Sequence, residues 1–163
     1  VLFKAAEGTG QVLSLYAAST VFAYIFTVEG VGPKFQNWLM EVSSGSALVI
    51  MLLIAGFVLI IGCFMEPVAV MPVILPLVYP LLQSLGCDMV QFGLVFSICT
   101  IIGGLTPPVG SYLFVTVTVV KASVTKLVPW MMVMIAVDVF VVLLCAIFPG
   151  FVTWLPNLLL GPM

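Results

Sequence analysis

The sequence predicts an all-α integral membrane protein, a polytopic helical bundle that contains a helical hairpin and one discontinuous (broken) helix. Three observations predict it. Of the 163 residues, 64% are hydrophobic and 6% charged, where soluble domains carry about a quarter charged. The charged residues are spaced so as to leave apolar runs at 8–28, 42–65, 67–87, 89–120 and 127–148, the last interrupted only by Asp138. Each run reaches the roughly 20 residues that cross a hydrocarbon core about 30 Å thick. Several runs are also interrupted from within by Gly and Pro, the residues least compatible with a helix interior.

A single transmembrane region over 1–163 is expected, with about five membrane segments at 5–28, 45–65, 67–85, 89–120 and 127–148. The first is rich in Ala, Ser, Thr and Gly, as at Ala17-Ala18-Ser19-Thr20. Small residues let helix backbones approach closely in lipid, so this helix is expected inside a bundle. Glu29-Gly30-Val31-Gly32-Pro33 ends it. From 33 to 42, Phe35, Trp38, Leu39 and Val42 recur at helical spacing among Lys34, Gln36, Asn37 and Glu41, the pattern of an amphipathic helix lying in the membrane interface. The span 45–65 closes on Gly62-Cys63-Phe64-Met65-Glu66-Pro67, and 67–85 carries prolines at 67, 72, 76 and 80. In a membrane bundle neighbouring groups can satisfy the carbonyls that prolines deprive of donors, so this segment reads as a kinked helix or one limb of a hairpin. Residues 85–88 form a polar turn.

The run 89–120 is the most informative. As one straight helix its 32 residues would extend about 48 Å, well beyond a core of about 30 Å. Gly103-Gly104 and Pro107-Pro108 predict a break at 103–110, near mid-depth. Pro107 and Pro108 have no amide hydrogen for the carbonyls of Gly103 and Gly104, in a medium where an unsatisfied polar group costs several kcal/mol. A bare cation that prefers oxygen can satisfy those carbonyls, and Thr106 adds a hydroxyl. The two limbs present opposed dipole ends, negative at the end of the first and positive near Gly110 and Ser111. A cation and an anion can thus be held side by side, as in the midplane sites of secondary transporters. A proline kink without a ligand is the alternative.

The last span, 127–148, is followed by a tail with Pro149, Gly150, Trp154 and Pro156; Trp130 and Trp154 suit the two water interfaces. Glu66 admits three roles: a cap for the following helix, a partner for a Lys, or a titrating group. Asp138, near the middle of its span, is either functional or the anchor of an interhelical bond.

Composition also excludes. A formal charge of −2 with four Lys and no Arg leaves no basic surface for nucleic acid, and too few cations to fix an orientation. Cys63, Cys87, Cys99 and Cys145 lack paired metal-ligand spacing and there is no His, so they read as small buried apolar residues rather than a zinc, haem or iron-sulfur site. No catalytic motif is present, and an enzyme is not expected. The chain opens at Val1, close to a span and without a cleavable leader, as a piece of a longer protein would.

The string Ile102-Gly103-Gly104-Leu105-Thr106-Pro107-Pro108-Val109-Gly110, with Leu113-Phe114 beyond it, resembles the late signature of the large permease subunit of tripartite ATP-independent periplasmic (TRAP) transporters, the DctM-like family. Phe26-Thr27-Val28-Glu29-Gly30, Gly62 to Pro67, Pro72 to Pro80, Gln91-Phe92-Gly93 and Phe148-Pro149 to Leu155-Pro156 resemble other family stretches in the same order. Cys99 and Tyr112 stand where that family usually has Asn. The resemblance implies the C-terminal half of the permease, one repeat of an inverted-repeat, elevator-type transporter whose N-terminal repeat is missing from this sequence. It implies a multi-pass protein of the bacterial cell inner membrane, taking up small organic acids, such as C4-dicarboxylates, by symport with Na+ as coupling ion. The implied partners are a small DctQ-like membrane subunit and a DctP-like periplasmic binding protein that delivers the substrate. Carried over residue by residue, Gly62 and Glu66 at the hairpin, with Gly103, Gly104, Thr106, Pro107, Pro108 and Gly110 at the break, would bind ion and substrate. Gly103, Gly104 and Thr106 are the candidate Na+ ligands. A different broken-helix carrier, such as an ion-coupled antiporter, and a non-transport membrane scaffold are the rival readings.

Overall fold

The computed structural model describes residues 2–107, 110–120 and 123–161, which are helical apart from short links and contain no strand. Eight helices follow one another: α1 (Leu2–Val28), α2 (Val31–Ser43), α3 (Ala47–Gly62), α4 (Pro67–Ser84), α5 (Met89–Leu105), α6 (Ser111–Val120), α7 (Val124–Ile147) and α8 (Pro149–Leu160). Three stretches are long and apolar enough to cross a membrane: Ala5–Val28, Pro67–Ser84 and Leu127–Ile147. The pair α2–α3, bent by 119° at its junction, makes a fourth if counted as one broken span. The all-α, polytopic membrane class read from the sequence is the class of the fold.

Within the described residues α1 is packed along one side only. Ser19 is buried and Ala23 and Phe26 half-buried, a stripe at spacings of four and three, while Ala17, Ala18 and Thr20 are exposed. This helix meets α4 and α2 along one edge and is not enclosed by the described chain. Its polar side chains need no interhelical partner, because Ser14, Thr20 and Thr27 donate to their own helix, at the carbonyls of Gly10, Ala17 and Ala23 over 2.7, 2.7 and 2.8 Å. A small-residue stretch permits close packing without requiring it.

Gly30, in the left-handed region at φ +63°, turns the chain into α2. α2 is amphipathic: Gly32, Leu39 and Ser43 are buried, while Lys34, Asn37, Trp38 and Glu41 are exposed. On the half-buried side Gln36 Nε2 donates to the carbonyl of Leu77 in α4 at 2.8 Å. That carbonyl lies in the turn distorted by Pro80, next to Pro76, whose own carbonyl has lost its helical donor.

α3 and α4 form the hairpin, joined through Cys63 to Glu66, with Pro67 in the first turn of α4 where its fixed φ suits helix initiation. Pro72, Pro76 and Pro80 sit four residues apart and share the half-buried to exposed side, while Val70, Val78 and Leu82 pack inward. The deprived carbonyls therefore lie away from the apolar core. α3 packs most extensively on α5, and the core runs through α2, α3, α4 and α5, closed by Val142, Cys145 and Ala146 of α7. Asp88 caps α5, its Oδ1 accepting from the amides of Val90 (2.8 Å) and Gln91 (3.1 Å). Cys99 and Cys145 are buried, Cys63 and Cys87 half-buried, and all four are free thiols. The tail after 148 is a helix, α8, started by Pro149 in its first turn. Pro149 suits the start of a helix, where its missing amide hydrogen costs nothing.

Candidate functional site

The site is built where the end of α3 crosses the end of α5. A Cβ placed on Gly103 would stand 2.7 Å from the Cα of Gly62, 2.9 Å from its carbonyl carbon and 3.0 Å from the carbonyl oxygen of Leu59. A Cβ on Gly62 would stand 3.0 Å from the Cα of Gly103. The two backbones touch, and only glycine allows it. Gly104 is covered from the other side by Tyr112, whose ring carbons lie 2.9 and 3.0 Å from its would-be Cβ, with Pro67 Cγ at 3.7 Å. Gly62, Gly103 and Gly104 are all buried.

This geometry corrects one expectation. Gly103 and Gly104 do not break the helix; both remain in the last turn of α5, which runs to Leu105. Their low helix propensity is offset by the close contacts they permit, Gly103 with α3 and Gly104 with the Tyr112 ring. The break falls at 106–110. Thr106, extended at φ −84° and ψ 132° as the residue before a proline must be, ends α5. Pro107 follows in a turn, half-buried, and Pro108 lies outside the described residues. Gly110, buried and left-handed at φ +42°, then redirects the chain into α6. A Cβ there would also approach the Thr106 carbonyl oxygen to 3.2 Å.

A second correction concerns the freed carbonyls. The carbonyl of Gly103 has lost its helical donor at 107, but it accepts from the amide of Thr106 at 2.9 Å. The Thr106 hydroxyl donates to the carbonyl of Ile102 at 2.7 Å. Helix end and hydroxyl thus tighten into a local cap. Each carbonyl keeps a second lone pair and the hydroxyl oxygen keeps acceptor capacity, so these oxygens can still face a cation.

At the hairpin tip, Glu66 is half-buried. It precedes α4 without a side-chain cap bond, while its backbone carbonyl accepts from the amides of Ala69 (2.9 Å) and Val70 (3.1 Å). Pro67, which follows it, has its Cγ 3.7 Å from the Cβ position of Gly104. The fold therefore gathers Gly62, Glu66, Gly103, Gly104, Thr106, Gly110 and Tyr112 at one junction, with Cys99, fully buried, one turn earlier in α5. Asp138 lies apart on α7, half-buried.

One anchoring residue escapes sequence reading. Gln91, only 3% exposed, donates from Nε2 to the carbonyls of Cys145 and Ala146, both at 2.9 Å. The helical donor to Cys145 would be residue 149, a proline; Gln91 supplies the missing hydrogen bond and pins the start of α5 to the end of α7. The available signal was an amide side chain in a long charge-free run, coupled to a proline just past the end of another span.

Fold and site together define a polytopic helical membrane protein in which a helical hairpin meets the broken end of a further helix. Residues 1–151 match the family model described as the DctM component of the tripartite ATP-independent periplasmic transporter, and the chain belongs to that family. It is 30% identical over 160 residues to the C4-dicarboxylate TRAP transporter large permease protein DctM of Pseudomonas aeruginosa, covering 95% of this chain and 37% of the relative. The sialic acid TRAP transporter large permease protein SiaM of Vibrio cholerae is 32% identical over 162 residues, 99% of this chain and 38% of the relative. The isethionate TRAP transporter permease protein DctMQ of Oleidesulfovibrio alaskensis is 32% identical over 147 residues, 90% of this chain and 23% of the relative. The chain thus spans little more than a third of the length of the first two relatives. No solved structure matches it. The family is a transporter permease component rather than an enzyme.

Proposed function

We propose that this chain is the C-terminal repeat of a large permease subunit that drives uptake of small organic acids with sodium across the bacterial inner membrane. A soluble binding protein would supply the substrate and a small membrane subunit would brace the permease. The observation that carries the reading is the junction itself: the hairpin end at Gly62 lies on the broken-helix end at Gly103, backbone to backbone, in a chain of this family. Such a contact lets hairpin and broken helix move as one body, the moving unit of an elevator. Thr106 Oγ1 and the carbonyls of Gly103 and Gly104 are the proposed sodium ligands. The end of α5 brings the negative end of its dipole to them, while the start of α6 offers its positive end to a substrate carboxylate. Two of the relatives carry carboxylates in their names, C4-dicarboxylate and sialic acid, and a third carries the sulfonate isethionate; a small organic anion, a carboxylate first among them, is the proposed substrate.

Uptake is the test. In proteoliposomes holding the whole permease, its small subunit and the binding protein, an inward sodium gradient is expected to accumulate a radiolabelled organic acid, and Gly103→Leu to abolish it. Equal accumulation with and without the sodium gradient would remove sodium coupling. A protein that accumulates nothing while remaining folded would leave the scaffold reading in its place.

A further inference from the structure

A cavity of about 460 Å³ lies between α1, α2 and the hairpin, open on one side. Its walls are wholly apolar, among them Phe22, Phe35, Phe57, Met65, Ile74 and Leu77. It touches none of the proposed ion ligands. An apolar cavity of about 150 Å³ stays dry and accepts a benzene ring, so a space three times larger is a binding volume. Water has no partners on such walls, and an empty space forfeits the dispersion contacts of every residue lining it. A carboxylate would be stripped of water with nothing to replace it. The organic-acid substrate is therefore the wrong occupant.

The shape narrows the choice further. One end of the cavity is formed by Val31 and Phe35 of the amphipathic α2, where Phe35 stacks on the exposed Trp38 with ring centroids 5.8 Å apart. The other end is Met65 at the hairpin tip. Along α4 the walls run from Val70 to Leu77, about 10 Å of helix rise. Over that length 460 Å³ gives a cross-section of roughly half that of a helix about 10 Å wide. A slim, flexible, wholly apolar ligand fits; a further transmembrane helix does not.

We infer that the cavity holds one acyl chain of a membrane phospholipid, entering beside α2 and reaching toward the hairpin tip. Its glycerol and headgroup remain outside beside α2, where Lys34 is exposed and amphipathic helices meet the polar interface. The inference is independent of sodium coupling and of the transport reading.

The test uses the whole permease in bilayer nanodiscs containing a phospholipid with a photoactivatable diazirine near the end of one acyl chain, with adducts located by mass spectrometry. Adducts are expected on Phe22, Ile61 and Met65, in addition to annular labelling of exposed residues of α7 such as Met134 and Phe140. Filling the space by Ile74→Trp, or more gently by Val73→Phe, is expected to lower cavity adducts at least fivefold while α7 labelling stays constant, which also reports that the variant is folded. Labelling confined to α7, cavity labelling unmoved by both variants, or labelling by a free diazirine fatty acid but not by the phospholipid would each overturn the inference.

Discussion

α5 and α7 are built from nearly the same apolar alphabet and meet opposite fates. α5 buries Gln91, Phe92, Val95, Phe96, Cys99, Thr100, Ile102, Gly103 and Gly104. α7 buries Val142, Cys145 and Ala146, with Trp130, Met134 and Phe140 exposed. Apolarity separates membrane from water and says little about inside and outside within a membrane, because lipid tails are as apolar as leucine. What separates the two helices is the minority of residues that are small or polar: glycines that admit another backbone, and an amide that repairs a helix end. α7 offers α5 its last turn, whose carbonyls Gln91 holds, and leaves most of its bulky surface outward.

The comparison breaks most sharply at the α3–α5 crossing. Gly103→Leu meets backbone rather than a side chain that can give way, so it is expected to cost about 3 kcal/mol or more, at or above the upper end of ordinary overpacking, or to leave no folded protein. Val137→Leu, on the exposed surface of α7, is expected to stay within about 0.5 kcal/mol. Thermal unfolding of both variants in detergent makes the measurement, and similar losses at the two sites would erase the distinction. Gln91→Leu is the next largest. It leaves two buried carbonyls without their donor, for a loss of about 1–3 kcal/mol, read as a lower melting temperature together with faster amide exchange at the end of α7. Gly110→Ala should cost about 1–2 kcal/mol from left-handed backbone alone, with an added close approach to the Thr106 carbonyl. An unchanged melting temperature there would mean that the chain after the break does not need its left-handed turn.

How much of this was legible in the sequence depends on the range of the force involved. The charge-free runs and the Gly and Pro interruptions gave the all-α membrane class, because solvent preference and helix breaking are local properties. The position of the break was legible only to within a few residues. Propensity ranks Gly103-Gly104 with Pro107-Pro108 as breakers, yet the glycines stay helical where Gly62 lies against Gly103 and Tyr112 against Gly104, contacts that no local rule carries. The extended Thr106, by contrast, follows from Pro107 alone. The hydrogen bond from the Thr106 amide to Gly103 was missed because helix geometry was followed to the i+4 donor and no further, where a tightened last turn supplies the i+3 donor instead. The serines and threonines of α1 bond to their own backbone, so its small-residue stretch permits close packing without needing a polar partner. Gln91 and Cys145 are 54 residues apart, and only the fold brings the carbonyl that Pro149 deprives of its helical donor to the Gln91 amide. At the candidate site the motif residues were all visible as a set; that Tyr112 closes over Gly104 beside Pro67 was not.

The sodium ion proposed at the junction of hairpin and broken helix has a direct test. Thermal unfolding of the purified whole permease with sodium chloride or choline chloride at matched ionic strength tests it most directly. Sodium is expected to raise the melting temperature of the native protein in a saturable way, and Thr106→Ala to weaken or abolish that rise while melting normally in choline. An equal melting temperature in the two salts for the native protein, or a sodium response undiminished in Thr106→Ala, would contradict the account.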